Sequence, residues 1–117
     1  MSDCIFCKIA KGEIPCKKIY EDGEMLAFQD IRPAAPVHFL VVPKKHIQSL
    51  MHLEEDDIAL TGRLLHKAQQ LAKEPEAGGC GEKGARFVIN CGRDGGQTVD
   101  HLHVHVLGGR ALGWPPG

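Results

Sequence analysis

His101-Leu102-His103-Val104-His105-Val106-Leu107 is the stretch on which the reading of this chain turns. In an extended strand, successive side chains point to opposite faces. His101, His103 and His105 therefore share one face. Leu102, Val104 and Val106 share the other, which the pattern assigns to the core. Three imidazoles in strict alternation, backed by three aliphatics, point to chemistry rather than to a single satisfied core histidine. Imidazole acts as nucleophile, general acid or base, or metal ligand. Two uses fit this strand. Alternating H-x-H can ligate zinc. It can equally present a nucleophilic histidine flanked by histidines that hold its tautomer and handle protons.

The segment just upstream, Gly92-Arg93-Asp94-Gly95-Gly96-Gln97-Thr98, favours phosphate chemistry. Paired glycines let backbone N–H groups approach an anion closely. Gln97 and Thr98 add side-chain donors, and Asn90 adds another from the end of the preceding strand.

Working outward, the spacing predicts strands at Lys17 to Tyr20, Met25 to Gln29, Val37 to Val42, Arg86 to Asn90 and Leu102 to Leu107. Asp22-Gly23 marks a hairpin between the first two. Ile58, Thr61, Leu64, Leu65, Ala68, Leu71 and Ala72 recur at helical spacing. Glu54 to Asp57 cluster at the start of that helix as a solvated, dipole-compatible cap, with Lys73 near its end and Pro75 as its stop. A short helix is expected around Ile5 to Lys11. Pro75 to Gly84 reads as a surface loop. The fold class is α+β: a five-stranded, mostly antiparallel sheet with one long and one short helix, in a single domain over residues 1–117.

The 117 residues carry 14 Lys plus Arg against 15 Asp plus Glu, a formal net charge of −1. That balance argues against a nucleic-acid partner but leaves room for a local phosphate site. No apolar run approaches the roughly 20 residues that span a bilayer, so no membrane partner is expected. The N-terminus lacks the apolar core of a secretory signal. Five cysteines, an odd count, then read as reduced thiols in a cytoplasmic protein. Cys4 and Cys7 form a C-x-x-C. Cys16, Cys80 and Cys91 have no partners at metal spacing, and His52 and His66 read as solvated.

Taken together, Cys4-Ile5-Phe6-Cys7-Lys8-Ile9, Glu13-Ile14-Pro15, Phe28-Gln29-Asp30-Ile31, Pro36 to Ile47, Asn90, Gly95-Gly96-Gln97-Thr98-Val99, the three histidines, Gly108-Gly109-Arg110 and Trp114-Pro115-Pro116-Gly117 resemble the histidine triad family over nearly the whole chain. The resemblance is to its Hint branch of nucleotide-binding phosphoramidases. His105, where the family's transferases have Gln, implies hydrolysis rather than transfer. The resemblance implies a histidine triad fold whose sheets join across a homodimer. It implies a purine nucleotide of the AMP or GMP type, or a nucleoside phosphoramidate, as ligand, and no cofactor for catalysis. His103 would be the nucleophile and His105 the phosphate contact and proton donor, with His38 and His101 completing the histidine network. Asn90, Gly96, Gln97 and Thr98 would bind phosphate, and Asp30 the ribose. Ile5, Phe6, Ile9, Phe28 and Ile31 would form the base slot. Trp114 would reach the partner's site. Thr98 departs from the family's more usual serine, and Asp100 from an aromatic. On a regular strand, Asp100 points to the face opposite His101.

Some bacterial members of this family hold a structural zinc at positions that match Cys4, Cys7, His46 and His101, a sound Cys₂His₂ set. The rival reading is two reduced thiols and no metal. For function, the alternatives to a metal-independent phosphoramidase are a zinc-dependent hydrolase with the triad as ligands, and a nucleotide-binding regulatory module with vestigial hydrolysis.

Overall fold

The computed structural model describes residues 3–117. Five strands, β1 (Lys18–Glu21), β2 (Met25–Gln29), β3 (Val37–Pro43), β4 (Ala85–Val88) and β5 (Val104–Gly108), form one sheet in the order β1-β2-β3-β5-β4. Every neighbouring pair is antiparallel. Two helices, α1 (Ile5–Ala10) and α2 (Ile58–Lys73), complete the α+β fold expected from the sequence.

The central strands are covered on both faces. Met25, Ala27, Phe39, Val41, Val104 and Val106 pack against Leu64, Ala68 and Leu71 of α2. Leu26, Phe28, Leu40 and Val42 face the other way and pack on Phe6 of α1. Burial on both sides explains why β2 and β3 carry consecutive apolar residues, 25–28 and 39–43, rather than strict alternation. The aliphatic face of the histidine stretch, Leu102, Val104 and Val106, lies in the α2 core, as its alternation requires.

The last strand starts two residues later than its hydrophobic pattern predicts. The register sets Val41 opposite Val104. Continued, it would set Leu102 opposite Pro43, which has no N–H to donate. The ladder stops there. The Leu102 N–H donates instead to the Ile47 carbonyl (2.6 Å), and His101 lies in a bend. Asp100 consequently does not follow strand geometry. It is exposed and borders a cavity beside Cys4 and His46.

Two further expectations are corrected. The acidic cluster is not simply a solvated cap: Asp57 is buried, pairs with Lys45 and closes a capping box with Glu54. The Pro75 to Gly84 segment is not a plain surface loop. It holds two 3₁₀ turns (Pro75–Ala77 and Gly81–Lys83), and Gly79 sits so close to the last carbonyls of α2 that a Cβ would collide with them. The first and fourth strands also shift slightly, to Lys18–Glu21 and Ala85–Val88.

Candidate active site and metal centre

Immediately before β5, His103 is held by its own chain. Its Nδ1 lies 2.6 Å from the His101 carbonyl, which can only accept, so the proton sits on Nδ1 and the lone pair on Nε2. Only 3% of His103 is exposed. Burial holds its pKa below the usual histidine range, although the His101 carbonyl and Asp30 act in the opposite sense. At neutral pH this is a neutral imidazole with a defined nucleophilic nitrogen.

His105, on β5, is fixed by a different route. The Ala34 N–H donates to His38 Nδ1 (3.0 Å), which leaves the His38 proton on Nε2. That Nε2–H faces His105 Nδ1 at 2.9 Å, with an Asp30 carboxylate oxygen at 3.4 Å. His105 therefore accepts at Nδ1 and carries its own proton at Nε2. Burial, then the nearby His103 and His38 rings, lower its pKa to about 4. Asp30, His38 and His105 are close enough to hold a cation. A cation on His38 Nε2 would force the proton onto Nδ1, against the Ala34 N–H. The trio is wired as a tautomer lock rather than as a metal site.

Both rings open onto a cavity of about 270 Å³ whose walls include Ile5, Phe6, Ile9, Phe28, Asp30 and Ile31. These are the residues assigned by resemblance to the base and ribose. Thr98 lines it as well. Phe6 stands edge-on to His103 (centroids 5.1 Å apart) and to Phe28 (5.6 Å). Ile31 is 92% exposed at the rim. Leu40 and Val99, not singled out from the sequence, also line the cavity. Leu40 was legible, since it shares the His38 face of β3.

The structure does not bring Asn90, Gly96, Gln97 or Trp114 to that cavity wall. Asn90 is half-buried past the end of β4. Gln97 spends its side-chain amide inside the loop: Nε2 donates to the carbonyls of Gln48 (2.8 Å) and Val99 (3.0 Å), and Oε1 accepts from the Gly92 N–H (2.9 Å). Gly96 adopts a left-handed conformation (φ 81°) in the same turn. The Gln97 side chain thus braces the glycine loop. Trp114 is 82% exposed near the end of the chain.

His101 faces away from this cavity, into a second constellation. Its Nδ1 lies 3.2 Å from Cys4 Sγ and 3.6 Å from Cys7 Sγ, and Cys7 Sγ lies 3.4 Å from His46 Nδ1. All four ligand atoms fall within 4.8 Å of one another. A tetrahedral zinc with bonds of about 2.3 Å to sulfur and about 2.0 Å to nitrogen needs S···N edges of about 3.5 Å. The set fits that ion in donor type, number and spacing. The His101 Nε2–H donates to the Pro43 carbonyl (2.8 Å), the outer bond that orients a ligating imidazole.

A family model described as "Scavenger mRNA decapping enzyme C-term binding" matches residues 3–112. A HIT family hydrolase of known structure from Legionella pneumophila is 50% identical and superposes with a TM-score of 0.92, over 98% of this chain and 100% of that one. The chain belongs to the histidine triad family. Among curated relatives of this HIT protein, HitA of Neisseria gonorrhoeae is 48% identical over 92% of this chain and 97% of its own length. A zinc-bound histidine triad protein from Mycobacterium smegmatis is 35% identical, with a TM-score of 0.79 over 93% of this chain and 76% of that one.

Proposed function

We propose that this HIT protein is a nucleotide-binding hydrolase of the Hint branch that cleaves the P–N bond of purine nucleoside 5′-phosphoramidates. The observation that carries the reading is the pair of tautomer locks: His103 keeps Nε2 unprotonated, and His105 keeps Nε2 protonated, on one small apolar cavity.

The base enters the slot between Phe6, Ile9 and Phe28, and Asp30 takes the ribose hydroxyls. Thr98 and the braced glycine loop receive the α-phosphate. The anion raises the His105 pKa, because a nearby negative charge favours the imidazolium, so His105 takes up a proton at Nδ1 from solvent as the substrate binds and the His38 Nε2–H turns to Asp30. His103 Nε2 forms a bond to phosphorus as the P–N bond breaks, and the leaving amine takes the His105 proton. The nucleotidyl-imidazolium so formed keeps its Nδ1–H on the His101 carbonyl. Water then attacks phosphorus and gives its proton to the now neutral His105. The P–Nε2 bond breaks, releasing the nucleoside monophosphate and restoring both rings. Splitting one displacement in two is what a covalent nucleophile contributes.

Cys4, Cys7, His46 and His101 hold a structural zinc in this reading. The ion supplies cross-linking of the N-terminal segment to the sheet and touches no reacting atom. The protein works in the cytoplasm as a homodimer, with Trp114 reaching the partner's site. Cys4→Ser is expected to lower the melting temperature more than it lowers kcat. Unchanged melting, with no zinc in protein purified without chelator, contradicts the structural role.

Steady-state turnover tests the substrate class. Adenosine 5′-phosphoramidate is expected to be hydrolysed with higher kcat/KM than a dinucleoside polyphosphate. His103→Ala is expected to abolish turnover while AMP binding stays within about tenfold, because the cavity walls remain. Preference for the polyphosphate overturns the P–N assignment, and joint loss of binding and turnover in a folded variant overturns the nucleophile.

A further inference from the structure

Helix α1 belongs to both sites at once. Its cap, Cys4, and its Cys7 are two corners of the Cys/His cluster, while Ile5, Phe6 and Ile9, between and beside them, are cavity wall. The helix has only six residues, and isolated helices below about 12 residues are marginal in water. Its cap bond runs from the Cys7 N–H to Cys4 Sγ (3.4 Å), so even the cap is a cluster thiol. The helix cannot leave one site and stay in the other.

His101 makes a second link. Its ring belongs to the cluster, and its backbone carbonyl fixes the His103 tautomer. Phe6 stands edge-on to both rings, at 5.8 Å from His101 and 5.1 Å from His103. A third link is a cavity of about 510 Å³ outside the cluster. It is bordered by Cys4 and His46 and shares Ile5, Thr98 and Val99 with the nucleotide cavity.

We propose that metal occupancy of the Cys4–Cys7–His46–His101 cluster and nucleotide binding are thermodynamically coupled through α1 and His101. Zinc docks α1 on the sheet, which pre-forms the base slot and holds the His101 carbonyl against His103. The nucleotide, packed on Phe6 and Ile9, retards metal loss by the same factor, since coupling between two ligands is reciprocal. His101 is in this sense a positioning residue. The inference rests on the zinc and nucleotide assignments above. It does not need the P–N chemistry.

The test is AMP binding by calorimetry to the full chain, zinc-loaded and chelator-treated. Zinc removal is expected to weaken the AMP Kd by at least about fivefold, the low end of typical coupling, with recovery on zinc return. The ¹⁵N signals of His103 are expected to report a single Nδ1–H tautomer with zinc and a mixture without it. Should the metal-free chain unfold, His46→Gln replaces it. That change weakens the metal site from outside α1 and outside the cavity wall, and the lost AMP affinity is expected to return as zinc is raised to saturation. Damage unrelated to the metal is not rescued in this way. Equal AMP affinity with and without zinc overturns the proposal, as does a protein that takes up no zinc. Zinc-dependent AMP binding without P–N turnover leaves it standing and refutes only the catalytic reading.

Discussion

His103 and His105 carry opposite protonation patterns on one cavity, and each pattern is imposed by a neighbour. The alternation of the histidines was legible in the sequence, and so was their separation from the aliphatic face. Their tautomers were not, because the groups that set them are main chain: the His101 carbonyl and the Ala34 N–H. Backbone donors and acceptors have no residue identity to read. The bracing bonds of Gln97 were hidden for a related reason, since a side-chain amide near a glycine loop serves equally to bind a ligand or to brace the loop. His105→Asn is expected to lower kcat by about 10²- to 10⁴-fold on an alkyl phosphoramidate, the usual range for a lost proton donor. The deficit is expected to shrink when the leaving group needs no proton. An equal deficit on both substrates would assign His105 to phosphate binding alone. By NMR titration, His105 in the free protein is expected to titrate near 4, and bound AMP is expected to raise that value. A lower value with AMP would place the phosphate elsewhere.

The elements that position the site follow from local rules, with one informative exception. α2 showed its stripe of Leu64, Ala68 and Leu71 in the sequence, and the structure packs that stripe on the sheet. β2 and β3 showed their double burial as consecutive apolar residues at 25–28 and 39–43. The early stop of the β3–β5 ladder at Pro43 was recoverable only with the register known, since nothing in residues 101–107 announces a proline on the facing strand. That stop frees the Pro43 carbonyl to accept from His101 and lets His101 turn toward the cysteines. The glycine loop before β5 is exposed, yet one of its glycines sits in close contact with main chain. Gly95 lies against the backbone of Cys91, where a methyl group would collide with the carbonyl. Gly95→Ala is expected to destabilise the fold by about 1–3 kcal/mol and to weaken AMP binding, read by thermal melting and calorimetry. Wild-type values for both would mean that the loop is free to move.

At the scale of the whole molecule, one sheet carries two packed faces, and the reactive face is the one closed by a six-residue helix rather than by α2. The α+β class and the antiparallel sheet were legible because strands, hairpin and long helix each carry a local signal. The joining of two histidine roles to a thiol pair 94 residues or more away was legible only through the family resemblance. Burying neutral histidines also ties stability to pH. Between about pH 6.5, where unfolded histidine titrates, and pH 4, the unfolded chain binds a proton that buried His105 does not, and the lowered pKa of His103 acts in the same direction. Stability is therefore full above that window and is lost as pH falls through it. The melting temperature is expected to decline from pH 6.5 toward 4, and a flat profile would contradict the buried neutral state. The central claim, that His103 is a covalent nucleophile, is tested most directly by acid quench within milliseconds of mixing with adenosine 5′-phosphoramidate, followed by intact mass spectrometry. The account predicts a protein species heavier by one AMP unit, mapped to His103 and missing in His103→Ala. Turnover at an undiminished rate in His103→Ala, with no adduct in either protein, would contradict it.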